Sequence, residues 1–156
     1  MNKWLLIAWI AVAVTGCKKD ANQVEKINDA LVGTWIVESN KIIYYDQTGQ
    51  KEYEEVLEGS SIAQEISFMK NLKARIVGRN AEIFNTAYNL AEENKLIYIE
   101  LFDAAVFDAQ VWRISGLPAT EMEWKAGFNN IKYEDKETGE IIEAPKAELT
   151  LKFNKK

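Results

Sequence analysis

The sequence predicts an all-β domain: an antiparallel up-and-down β-barrel of about eight strands, with a short helix on its N-terminal side. Three observations carry that expectation. From residue 34 onward, apolar residues recur at every second position in a series of short runs, the period of a strand with one dry face. The runs follow one another closely, and Gly-containing turns such as Asp46-Gln47-Thr48-Gly49-Gln50 and Lys136-Glu137-Thr138-Gly139-Glu140 join antiparallel neighbours. A meander built this way leaves two open edges, and closing the sheet on itself removes both.

The first segment in chain order is an address rather than part of the barrel. Asn2 and Lys3 make a short polar start, and Trp4 to Val14 form an apolar run. That run is well short of the roughly 20 residues needed to span a bilayer. Small residues then precede Cys17, the layout of a cleavable export signal. Val14-Thr15-Gly16-Cys17 resembles a bacterial lipobox, which implies cleavage before Cys17 and a diacylglyceryl group on its thiol. Cys17 is the one cysteine of the chain, so no disulfide within the chain competes for it. The expected division is a signal peptide over 1–16, a lipidated N-terminus and linker over 17–29, and a barrel over 30–156. The implied location is the bacterial cell envelope, outer membrane rather than inner, and removal of the signal leaves a length normal for one domain.

Within the linker, Asp20 and Gln23 are placed to cap a short helix carrying Val24, Ile27 and Leu31 on one face. Strands are then expected near 34–46, 50–57, 63–69, 73–79, 82–90, 95–102, 106–115, 120–128 and 145–153, with one more near 131–135. The alternation is cleanest late in the chain, where Met122, Trp124, Ala126 and Phe128 share one side, as do Ala147, Leu149, Leu151 and Phe153. Ile97, Ile99 and Leu101, and likewise Trp112 and Ile114, form the dry sides of two further strands. The stretch Ser60 to Gly78 also fits a helix, with Ile62, Ile66 and Met69 in line. Two strands are preferred there because strands follow directly.

At the first strand, Gly33-Thr34-Trp35 resembles the Gly-x-Trp entry motif of lipocalin-like domains. The run from Tyr88 to Leu101, with its Asn94-Lys95-Leu96 turn, is similar to that family's strand-turn-strand, and Trp112 to Trp124 is similar to its penultimate strand pair. Thr86-Ala87-Tyr88 stands where the family has Thr-Asp-Tyr, and Arg113 and Lys152 are the candidates for its late arginine across the tryptophan. The likeness is to the diverse bacterial lipoproteins called lipocalin-like. It implies a barrel that can hold one small ligand. Read physically, Trp35 is a bulky ring able to plug one end of a barrel, and Gly33 lets the backbone turn beside it.

Chemistry is bounded by what is missing. With no histidine and one cysteine, there is no Ser-His or Cys-His pair and no soft-metal site. No cofactor or metal is expected, and the chain reads as a non-enzyme. Asp103 and Asp108 flank an apolar stretch as polar loop ends. The acidic runs Glu52, Glu54, Glu55 and Glu134 to Glu143 lack the spaced loop of an EF-hand and read as solvated hairpin surface. A net charge of −5, without a basic cluster in the body of the chain, excludes nucleic acid as partner. Of the adjacent Tyr44 and Tyr45, strand geometry lets at most one face a pocket. The expected partners are a membrane, through the lipid anchor, and a small apolar ligand held non-covalently. Trp112, Ile114, Met122, Trp124, Phe128, Ile97 and Ile99 are the expected lining, with the mouth opposite Trp35. The alternative is a protein-interaction module, an inhibitor or accessory subunit of an envelope complex, whose barrel is filled. A carboxylate-dependent hydrolase is the third reading, and it requires two carboxylates converging in a cleft. Oligomeric state is not legible in the sequence.

Overall fold

The computed structural model describes residues 23–58, 63–102, 109–116 and 120–156. The signal segment, Cys17, Asp20, and the Asp103 and Asp108 pair lie outside the described residues. A helix, α1 (Gln23–Leu31), precedes nine strands: β1 (Gly33–Tyr45), β2 (Lys51–Glu58), β3 (Ala63–Phe68), β4 (Lys73–Gly78), β5 (Ile83–Glu93), β6 (Leu96–Leu101), β7 (Val111–Ser115), β8 (Glu121–Glu134) and β9 (Ile141–Lys155). All pairings are antiparallel. Eight strands, β1 and then β3 to β9 in order, close into a barrel through β1 and β9.

β2 stands outside that ring because β1 is long enough to serve two neighbours on one flank. Gly33 to Ile36 pair with β3, and Ser39 to Tyr45 pair with β2. β8 and β9 overrun the barrel in the same direction, pairing with each other as far as Glu134 and Ile141. The strands β2, β1, β9 and β8 therefore form a four-stranded flange at the end of the barrel away from α1.

The helix that competed for 60–78 is absent among the described residues, and β3 and β4 occupy that region. β7 begins at Val111 rather than near 106, with Ala109 and Gln110 outside it. The two separate runs at 120–128 and 131–135 are one strand, and β9 starts four residues before the expected 145. The reason lies at Asn130, which takes a left-handed conformation, φ 52°, opposite Pro145. The turn shifts the alternation by one residue, so Ile131 and Tyr133 take over the apolar side from Met122, Trp124 and Ala126. Asparagine tolerates that conformation better than most residues, and a proline within a sheet is accommodated at such an irregularity.

α1 spans only nine residues and is marginal by itself, so packing must hold it. Leu31 is wholly buried, and Val24 and Ile27 pack against the barrel core, the face expected from their spacing. Burying one leucine is worth about 2–3 kcal/mol. Tyr88 of β5 ties the helix down, its hydroxyl lying 2.7 Å from Asn28 Oδ1.

Candidate functional site

The barrel interior is the first place to look for a ligand. Trp35 closes one end: it is wholly buried, and its indole N–H donates to the Leu31 carbonyl at 2.7 Å. Gly33 precedes it with φ 130°, a conformation that favours glycine. The cation across the Trp35 ring is neither Arg113 nor Lys152 but Lys155, whose ammonium sits 5.2 Å from the ring centroid and donates to the Ala30 carbonyl at 3.0 Å. Arg113 faces outward and shares a shallow groove with Tyr98, Lys125 and Lys146. Lys152 is exposed, on the rim of another. The bulge at Glu38, between Val37 and Ser39, shifts the register of β9 against β1. Counting residues from a family pattern therefore missed the position that faces the tryptophan.

Of the residues expected to line a pocket, Ile97, Ile99, Trp112, Ile114, Met122 and Trp124 are buried, and Phe128 is half-buried. They come together as one packed cluster. The Trp124 ring centroid lies 4.8 Å from that of Phe153, 5.9 Å from Trp112 and 6.0 Å from Phe68. Phe68 in turn meets Tyr88 edge to face at 5.1 Å. The indole groups are satisfied within the core, Trp112 donating to the Ala109 carbonyl at 3.0 Å and Trp124 to the Met122 sulfur at 3.1 Å. Packed rings, with the two indole N–H groups bonded, make this part of the interior a solid core among the described residues.

The flange is the second place. Tyr44 of β1, Tyr53 of β2 and Tyr133 of β8 stack on one face, with Tyr44 and Tyr133 centroids 4.2 Å apart and Tyr53 and Tyr133 centroids 5.1 Å apart. The stack exists because β9 contributes only Ala144 and Ala147 between them, so the rings lean across the small side chains and cover them completely. Burial raises the Tyr44 hydroxyl above the ordinary phenol range, with Glu55 adding to the effect. Burial raises Tyr133 too, helped by Glu52 and Asp135. Tyr45 points to the other face, under the Lys146 ammonium at 5.5 Å from its ring centroid. Sequence reasoning reached the Tyr44/Tyr45 alternation but not the stack, which depends on residues from three strands.

Two further grooves lie on the outer surface. One, of about 270 Å³, lies where Glu38, Glu121, Glu123 and Lys152 meet. Of its carboxylates, Glu123 accepts from Lys125 at 3.2 Å and from Ser115 at 3.4 Å. The other, of about 420 Å³, lies over β5 between Met69 and Phe102, and Lys73 supplies its one cation among the described residues. No grouping of three or more Asp, Glu, His or Cys side chains suited to a metal occurs among the described residues. No described helix is long and apolar enough to cross a membrane.

No protein-family model and no curated protein matches the chain. Among solved structures, a lipocalin-like protein from Bacteroides uniformis ATCC 8492 is similar, with 13% sequence identity and a TM-score of 0.39, covering 81% of this chain and 99% of that one.

Proposed function

We propose that this chain is a lipid-anchored, non-catalytic protein-interaction module of the bacterial cell envelope. The observation that carries the reading is the filled barrel. An eight-stranded barrel either packs its interior with side chains or leaves room for one small ligand, and the contacts among Trp112, Trp124, Phe153 and Phe68 belong to the first kind. A ligand seated beside Trp124 would have to displace rings that are themselves core. The flange supplies what such a module needs. β2 has no strand on its outer side among the described residues, and from Ala126 onward β8 pairs with β9 alone. Open edges of this kind can accept an extended segment from a partner.

A fluorescent fatty-acid analogue tests the reading directly. Wild-type protein is expected to show no saturable binding, whereas Trp124→Ala, by opening a cavity in an apolar core, gains it, as dry engineered cavities bind apolar molecules. Saturable binding to wild type that Trp124→Ala weakens would return the barrel to ligand carriage. The anchor has its own test. A palmitate analogue is expected to label wild type and not Cys17→Ser, and the variant leaves the membrane fraction; a Cys17→Ser protein that stays there at mature size refutes the anchor.

A further inference from the structure

We infer that the β3–β4 tip and the groove beside it form the face on which the anchored protein lies against an anionic phospholipid surface. This rests on the lipid-anchor part of the reading above. The tip runs Met69-Lys70-Asn71-Leu72 into Lys73, with Leu72 in a left-handed conformation, φ 58°, that turns the chain sharply. Met69 is 41% exposed, Leu72 43% and Phe102, across the groove, 43%. Single exposed apolar residues need no explanation. Here three of them border one groove or its tip, two lysines stand among them, and no acidic side chain lines the groove among the described residues. That is unusual on a chain of net charge −5, whose flange hairpins carry Glu52 and Glu134, Glu137, Glu140 and Glu143. Apolar tips flanked by lysine match the boundary between anionic headgroups and acyl chains.

The anchor brings this face to the membrane. The Tyr88 hydroxyl that lies 2.7 Å from Asn28 Oδ1 also lies 3.2 Å from the Met69 carbonyl, so α1 and the tip are neighbours. Five residues separate Cys17 from Gln23, a tether of at most about 22 Å when fully extended. The helix from Gln23 to Asn28 adds about 8 Å. The end of the barrel that carries Asn28 and the tip is therefore held within about 30 Å of the acylated residue, while the flange projects from the other end.

Lipidated full-length protein, reconstituted into vesicles, tests the inference. With Cys17 blocked by its acyl group, Asn71→Cys offers a single thiol for an environment-sensitive fluorophore, and Gln47→Cys places the same probe on the flange. On vesicles of phosphatidylethanolamine and phosphatidylglycerol, the probe at 71 is expected to shift to the blue and to be quenched by spin-labelled lipid, and the probe at 47 to behave as in water. Pure phosphatidylcholine vesicles, high salt, or Lys70→Glu with Lys73→Glu should each remove the shift at 71, since the first takes away the lipid charge, the second screens it and the third reverses the charge it attracts. A probe at 71 that stays aqueous on anionic vesicles, or responds alike on both kinds, overturns the inference while the anchor stands. An N-terminal peptide whose mass lacks acyl chains overturns both.

Discussion

Gly33, Trp35 and Lys155 form a unit in which each residue explains the others. A Cβ at position 33 would lie 2.9 Å from Lys155 Cε, and the φ of 130° is itself one that side chains rarely adopt. The lysine could swing aside, but the backbone could not, so Gly33→Ala is expected to cost about 1–3 kcal/mol in urea unfolding. Lys155→Ala removes the ammonium from the Trp35 ring and from the Ala30 carbonyl, and about 0.5–1.5 kcal/mol is expected in the same measurement. Tyr44, Tyr88 and Tyr133 make a third residue-scale prediction. Burial is the largest cause that raises each of them. A raised phenol favours the neutral form in the folded state, so its contribution is intact below the unfolded value of about 10 and is lost as pH climbs through the folded value. Absorbance near 295 nm should accordingly show half of the six tyrosines ionising late, and urea stability should fall above about pH 10. Simple titration of all six at the ordinary value would refute it.

The flange behaves as an element in its own right because its core is separate. Ala144 and Ala147 are covered by Tyr44 and Tyr133, a cluster distinct from the barrel's, with Ile42 packed against both. Removing one ring should therefore open the flange without unfolding the barrel. Tyr133→Ala is expected to speed amide exchange in 131–134 and 141–144 by roughly a hundredfold, the size of a local loss of about 2–3 kcal/mol, and to leave β4 to β6 unchanged. Equal acceleration throughout the barrel would show that the two clusters unfold as one. The late hairpin was legible in the sequence from Asp135 to Glu140, where Asp135 Oδ1 accepts from the Glu137 amide at 2.8 Å. Its length was not. A single left-handed residue at Asn130 resets the period, and a reading by alternation takes such a reset for a strand end.

For the molecule as a whole, the mature chain is expected to hold three tryptophans, Trp35, Trp112 and Trp124, and all three are wholly buried. Native protein should emit at short wavelength and resist acrylamide, and both properties should vanish in one transition with unfolding, since the three rings share one core. Trp124→Ala should lower stability by about 3–5 kcal/mol. A native state readily quenched by acrylamide would mean that the barrel opens on its own.

Alternation at every second position determines which side of each strand is apolar, and it is a local property of the chain. That is why the all-β class, most of the strands, the inward position of Trp35 and the dry side shared by Trp112, Ile114, Met122 and Trp124 could all be read directly. The face of α1 was legible for the same reason, from the spacing of Val24, Ile27 and Leu31. Whether those inward residues enclose a space or fill it was not legible, because identical alternation serves a hollow barrel and a packed one. The pairing of β8 with β9 sets Phe153 beside Trp124, and only the closure of β1 on β9 brings Phe68 onto it. Register decided the rest. The bulge at Glu38 shifts β9 against β1 and so pairs Lys155 with Trp35, whereas the left-handed turn at Asn130 leaves β8 and β9 in one register but moves Tyr133 to the side of Tyr44. Such offsets arise from hydrogen-bond pairing between distant segments, and no pattern within one segment encodes them.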